Sequence, residues 1–194
     1  MNKENYYDFS HLSYIDATVD VDLSFIYDQF LDKVTRGGSI LDAGCGSGRD
    51  MLYFKTLGYS VQGFDSSIKM VESAALYSGC PVKHSLFEQV EYECEFDAIW
   101  ACASLLHVKR ENLDDVFSRL HRALKIGGIL YCSFKARDED FTQGNRTFTC
   151  FTIPMLEQFI LNNALFSIEN IFLTEDARED RKNEMWTNAV LRAL

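Results

Sequence analysis

The sequence predicts an α/β protein of Rossmann-like type: a mostly parallel sheet with helices on both faces. Three observations lead there. Short apolar runs alternate with segments of helical period from residue 20 to residue 134, the order expected of βα units around a parallel sheet. The run Ile40-Leu41-Asp42-Ala43-Gly44-Cys45-Gly46-Ser47-Gly48-Arg49-Asp50 reads as the end of a buried strand, a glycine-dense turn and the first turn of a helix. Asp65 then closes the next strand 21 positions after Gly44, close to the ~20 expected of an acidic residue that grips a ribose.

Composition sets the outer bounds. The 194 residues suit one domain with a sizeable core, and a hydrophobic share of 47% is too high for disorder. No apolar run approaches the ~18 residues of a membrane span, and the polar start Met-Asn-Lys-Glu-Asn lacks the apolar core of a signal peptide. A formal net charge of −10 works against binding a phosphate backbone, so no nucleic-acid or membrane partner is expected and a small molecule is. Six cysteines without a C-x-x-C pair read as reduced thiols of a cytoplasmic protein. No metal site is expected.

The elements follow in order. Residues 1–20 are aromatic and polar without a clean period; from Asp20, Leu23, Ile26, Tyr27, Phe30, Leu31 and Val34 mark one helical face that stops at Gly37-Gly38. Strand one, Ser39–Asp42, delivers the glycine turn, whose glycines allow tight turning and close approach of a ligand. The helix beyond carries Met51, Leu52, Phe54 and Leu57 and presents unpaired N–H groups at its start. Strand two runs from Tyr59 to Phe64 and ends at Asp65, which either anchors a ribose by charge-assisted hydrogen bonds or caps the helix that Ser66 and Ser67 begin. Pro81–His84 is a short third strand, Ser85–Glu88 the loop after it, and Phe96–Ala101 the fourth strand. A helix over Arg110–Lys125 is expected to end at Gly127 or Gly128 in the left-handed conformation, before a fifth strand, Ile129–Phe134. Ala136–Arg146 reads as a mobile loop, Thr152 as the cap of a helix with Leu156, Phe159 and Ile160, and Phe166–Thr174 and Met185–Leu191 as the last two strands.

The glycine turn excludes one cofactor class and favours another. A dinucleotide site needs G-x-G-x-x-G/A with a small last residue, whereas here the third glycine comes early, at Gly48, and the long cation Arg49 stands where the small residue belongs. The pattern Asp42, Gly44, Gly46, Gly48, together with Leu124-Lys125-Ile126-Gly127-Gly128 before an apolar strand, resembles the class I S-adenosylmethionine-dependent methyltransferases. Gly46 to Asp50 and the compact length are also similar to small bacterial methyltransferases of the tellurite-resistance type. The resemblance implies a seven-stranded sheet with an antiparallel last strand. It implies a single domain over 1–194: an N-terminal helical cap (1–36), a cofactor-binding core (37–135), and substrate-side loops and C-terminal strands (136–194). It implies that S-adenosylmethionine, leaving as S-adenosylhomocysteine, lies against Asp42, Gly44, Cys45, Gly46, Gly48, Asp65, Ser66, Met70, Leu86, Phe87 and Ala101. Leu86 and Phe87 would wall the adenine or simply pack in the core, and Tyr14 would be a lid residue over the substrate or pack on the sheet.

His107, at the end of strand four, is the candidate general base or substrate ligand; the alternative is a structural hydrogen-bonder at a helix start. Arg146 and Arg178, with Lys135, Arg137 and Arg181, would bind an anionic acceptor if they converge, or balance the acidic residues of solvated loops. The function expected is in-line methyl transfer to a small, anionic molecule by a monomer or homodimer. A cofactor-binding sensor or partner subunit on the same fold is the non-catalytic rival, and an NAD-linked oxidoreductase the weaker one.

Overall fold

The computed structural model describes residues 21–194; Tyr14 lies outside the described residues. The main sheet has seven strands, numbered here in chain order: β1 (Ser39–Ala43), β2 (Ser60–Asp65), β3 (Val82–His84), β4 (Phe96–Ala101), β5 (Leu124–Lys135), β8 (Phe166–Glu175) and β9 (Met185–Ala193). Their order is β3-β2-β1-β4-β5-β9-β8. Strands β1 to β5 pair in parallel, and β9 inserts antiparallel between β5 and β8. Strand β6 (Phe141–Gln143) and β7 (Arg146–Phe148) form a separate antiparallel hairpin.

Alternation along the strands builds the two faces of the sheet. Ile40, Ala98, Trp100, Ile129, Tyr131 and Val190 face helices α1 (Ser24–Leu31), α2 (Arg49–Thr56) and α3 (Ile68–Ser78). Leu41, Ile99, Leu130, Cys132, Phe134 and Leu191 face α4 (Leu113–Ala123) and α5 (Ile153–Asn163). Helix α1 is therefore a full member of one layer. Its Phe30 lies 5.0 Å from the Trp100 ring, and its Tyr27 stacks on Tyr53 of α2 at 4.1 Å. Aromatic pairs of this kind stabilise by roughly 0.5–1.5 kcal/mol beyond their burial. On the other face, Leu113, Val116, Phe117, Leu120 and Ala123 give α4 a continuous buried stripe.

Three expectations are corrected. Helix α4 ends at Ala123 and passes directly into β5, so neither glycine caps it. Instead the ladder skips from Phe96–Leu124 to Ala98–Ile129, and the chain between bulges outward with Gly127 at φ +73°. The segment 136–146 is not wholly irregular, because Phe141 and Phe148 pair across the β6–β7 hairpin. Thr152 does occupy the N-cap of α5 but makes no side-chain capping bond; Pro154 in the first turn favours the start there.

Strand order reverses between β1 and β4, and a crevice outside the carboxyl ends of such neighbours is the usual ligand site of this architecture. Ser104, just past β4, donates from Oγ to the Ala43 carbonyl at 2.6 Å and ties the two strand ends together there.

Candidate active site

The turn after β1 takes its shape from three glycines at φ +78° (Gly44), +52° (Gly46) and +80° (Gly48). Two of these glycines also have no room for a side chain. A Cβ on Gly44 would sit 2.5 Å from Ser104 Cβ, and one on Gly48 2.9 Å from the Ala74 backbone of α3. The turn is pinned to β2, where the N–H groups of Gly44 and Cys45 both donate to the Phe64 carbonyl, at 2.9 and 3.0 Å.

Asp65 ends β2 beside this turn. Its carboxylate accepts from the Gly46 N–H at 3.0 Å and from the Ser67 N–H at 2.9 Å. Burial raises its pKa above the ordinary carboxylate value against the pull of those backbone donors. Ser67, not Asp65, caps α3, its Oγ accepting from Met70 N–H at 3.2 Å. The side-chain cap is the serine, while the aspartate joins the glycine turn to the backbone at the helix start.

A cavity of about 220 Å³ opens at this point. Gly44, Gly46, Asp65, Ser66, Met70, Leu86 and Phe87 line it, so seven of the eleven expected cofactor residues converge. The other four stand behind the wall. Ala101 is wholly buried in β4, Cys45 is packed beside Gly63, and Gly48 rests against α3. Asp42, 2% exposed, has an Oδ2 that accepts no hydrogen bond from the described residues. Burial, reinforced by Asp50, holds the Asp42 carboxyl well above its ordinary pKa. Ser104, Ala103 and Val108 also line the cavity and were not anticipated; the small residues following β4 were their only sign in the sequence. Ala103 has φ +50°, unusual for a residue with a Cβ, and its N–H donates to Ser133 Oγ at 2.8 Å.

A second, larger cavity of about 850 Å³ adjoins the first, and Ala103 and His107 line both. Arg146 and Arg178 line the larger one together with Lys135, Arg137 and Arg181, so the cations expected to converge do so. Arg178 is engaged within the wall, donating to the two Asp176 oxygens at 2.8 and 2.6 Å. Lys135 pairs with Glu184 and lies 4.9 Å above the Trp186 ring.

His107 belongs to a short 3-10 turn, Leu105–His107, and its Nδ1 lies 3.3 Å from the Thr147 carbonyl. A carbonyl can only accept, so Nδ1 carries the proton of the neutral ring and Nε2 keeps its lone pair. Burial, with Arg146 and Lys135 nearby, pushes the His107 pKa down to about 4, against the Thr147 bond. The ring is therefore neutral at pH 7.

Beneath the larger cavity lies a network that the sequence did not announce. The Asp50 carboxylate accepts from Tyr27 Oη at 2.6 Å, Trp100 Nε1 at 2.7 Å, and Arg49 Nε and Nη2 at 2.5 and 3.0 Å. Burial opposes its charge, but Arg49 and these donors outweigh burial and hold the Asp50 carboxyl below its ordinary value. Arg49 thus has a structural partner as well as a place on the cavity wall. Among the described residues no cluster of three or more His, Cys, Asp or Glu is placed to hold a metal ion, and no helix is long and apolar enough to cross a membrane.

Known proteins share this geometry. Residues 40–128 match the family model described as a methyltransferase domain. An uncharacterized methyltransferase of Synechocystis is 31% identical over 98 residues, covering 50% of this chain and 46% of that protein. The tRNA (carboxymethyluridine(34)-5-O)-methyltransferase of Arabidopsis thaliana is 26% identical over 181 residues, 79% of this chain and 40% of that one. The chain thus spans less than half the length of either relative. The Burkholderia thailandensis 1,6-didemethyltoxoflavin-N1-methyltransferase, solved with 1,6-didemethyltoxoflavin and S-adenosylhomocysteine bound, superposes with a TM-score of 0.78 at 20% identity, over 96% of this chain and 83% of that one. The turn, the strand order and the matched segment agree: this chain has the fold of the class I S-adenosylmethionine-dependent methyltransferases, and residues 40–128 within it match the methyltransferase-domain model.

Proposed function

We propose that this protein transfers a methyl group from S-adenosylmethionine to a small anionic molecule. The observation that carries the reading is the adjacency of two cavities. One is walled by the glycine turn and Asp65, the other is rich in cations, and Ala103 and His107 belong to both.

The residues present fit the cofactor. Gly44 and Gly46 present bare backbone to the smaller cavity, and Asp65 is a nearly buried acceptor suited to ribose hydroxyls. Leu86 and Phe87 would take the adenine, and the unsatisfied Oδ2 of the buried Asp42 carboxyl would accept a hydrogen bond from a cationic amino group behind the turn. When bound, the cofactor supplies a methyl group on a positively charged sulfur, open to in-line attack. The chain's own task is alignment, from which up to roughly 7–11 kcal/mol of a barrier can come. His107 would hold the acceptor, or take its proton at Nε2 where the acceptor arrives protonated.

An anionic acceptor is favoured because six guanidinium or ammonium groups face four carboxylates among the described residues of the larger cavity, in a chain of net charge −10. That overall charge weighs against a tRNA acceptor like that of the Arabidopsis relative. All six cysteines are free thiols, which suits a reducing cytoplasm.

Calorimetry with S-adenosylmethionine, S-adenosylhomocysteine and NAD tests the cofactor. Both sulfur compounds should bind and NAD should not. Asp65→Ala should weaken S-adenosylhomocysteine about 100-fold, the equivalent of two charge-assisted hydrogen bonds of about 1.5 kcal/mol each. Absence of heat with the sulfur compounds, or an unaltered Asp65→Ala, would reject the reading. Turnover against small carboxylates, acidic phenols and unfractionated tRNA tests the acceptor. Methylation of tRNA alone would overturn the small-molecule assignment, and no turnover with bound cofactor would favour a sensor.

A further inference from the structure

The larger cavity is distinguished by how its cations are held. Three of them lie over aromatic faces: Lys135 at 4.9 Å from the Trp186 ring centre, Arg137 at 4.8 Å from Phe141 and Arg146 at 5.1 Å from Phe148. All six residues line this one cavity. Phe141 and Phe148 are direct partners across the β6–β7 hairpin and stack on each other, with ring centres 4.6 Å apart and planes 6° from parallel. The His107 ring packs 5.0 Å from Phe148. Guanidinium, phenyl and imidazole groups thus form a layered wall beside the junction of the two cavities.

The wall is firmly placed. The Thr149 hydroxyl donates to the Val108 carbonyl at 2.7 Å, and the Thr149 N–H to the Leu106 carbonyl at 2.8 Å. Just beyond, the Phe151 N–H donates to the Lys135 carbonyl at 3.1 Å, tying the chain after the hairpin to the end of β5. These anchors bind the hairpin to the same short turn that carries His107.

A cation held over a ring is already desolvated on one side and ordered, so a flat anion gains contact without paying to immobilise it. An aliphatic anion could use the charge of this wall but not its planes. From these stacked pairs we infer that the methyl acceptor is a planar aromatic or heteroaromatic anion, and that the β6–β7 hairpin with Trp186 is its recognition surface. This deepens, and rests on, the methyltransferase reading. The acceptor's ring would lie among Phe141, Phe148 and Trp186, its negative charge toward Arg146 and Lys135, and its nucleophilic atom toward the Ala103–His107 junction.

The test is calorimetry on the full chain, with and without saturating S-adenosylhomocysteine, using benzoate, 2-naphthoate and quinoline-2-carboxylate as probes. Cyclohexanecarboxylate serves as the non-planar anion and 2-naphthamide as the uncharged plane. At least one aromatic acid should bind about tenfold or more tightly than both controls. Arg146→Met should weaken that probe about tenfold and leave S-adenosylhomocysteine affinity unchanged. Phe148→Leu should erode the preference for the planar acid, and Phe141→Leu, at a half-buried ring, repeats that test should the first variant fold poorly. Cyclohexanecarboxylate binding as well as the aromatic acids would overturn the inference. So would the absence of binding by every aromatic acid while S-adenosylhomocysteine binds. Loss of S-adenosylhomocysteine binding itself would instead strike at the methyltransferase reading.

Discussion

Replacing Asp50 with asparagine should do more damage than replacing any surface carboxylate of this chain. The Asp50 side chain is 10% exposed and that of Arg49 19%, and the two share a pair of hydrogen bonds. Asparagine removes the charge that compensates the guanidinium, and its amide N–H₂ faces donors from Tyr27, Trp100 and Arg49. Breaking one side of a buried pair costs about 3–5 kcal/mol. The partial exposure of Arg49 places this case near the lower end, about 3 kcal/mol. For a domain of this size each kcal/mol moves Tm by about 2–4 °C, so a fall of about 6–12 °C is expected by calorimetry or circular dichroism. The effect carries a pH signature. The folded carboxyl titrates below its unfolded value, so its stabilisation is complete above roughly pH 4 and disappears as the pH falls through the lower, folded pKa. The gap between wild type and Asp50→Asn should therefore narrow in acid. Tyr27→Phe removes one donor to the same charge, and a double-mutant cycle should return a coupling of about 0.5–3 kcal/mol. A Tm within about 2 °C of wild type at pH 7, or strict additivity of the two substitutions, would show that this network does not tie α1 to the start of α2.

Three further outcomes follow from the geometry. Gly44→Ala should abolish cofactor binding, because the new methyl meets Ser104 and the backbone stays at positive φ; Ser104→Gly added to it should restore binding only in part, as calorimetry can show. His107 is neutral above about pH 5, so a base or acceptor role there predicts a rate flat from pH 6 to 8 and falling only as the pH approaches about 4. A rate falling through pH 6.5, the ordinary histidine value, would contradict the lowered titration of the ring. Arg178→Met leaves the 5%-exposed Asp176 side chain without its guanidinium, so this substitution should lower Tm more than it raises the acceptor KM, whereas Arg146→Met should do the reverse.

Much of the site was legible because it is local. The glycine turn, the helix start after it and Asp65 are fixed by backbone requirements that short stretches of sequence express: positive φ, a missing Cβ, and a strand length that sets where a carboxylate emerges. Strand faces were legible for the same reason, since alternate residues must face opposite helices. Boundaries read from glycine alone were less secure. Gly127 permits a left-handed turn, but the turn it makes is a bulge within β5, because the pairing of β4 with β5 on either side decided how the chain was used.

What the sequence by itself determined is the α/β order, the cofactor turn and the class of cofactor it suits. Only the tertiary structure decided that Tyr27, Arg49 and Trp100 share one carboxylate, that Ser104 closes the crevice against Ala43, and that Phe141 and Phe148 stack beside His107. The Tyr27, Trp100 and Ser104 contacts join residues far apart along the chain, and their energy comes from burial and from donors meeting acceptors across packed layers. Periodicity fixes which way a side chain points, but not which distant group it will meet there.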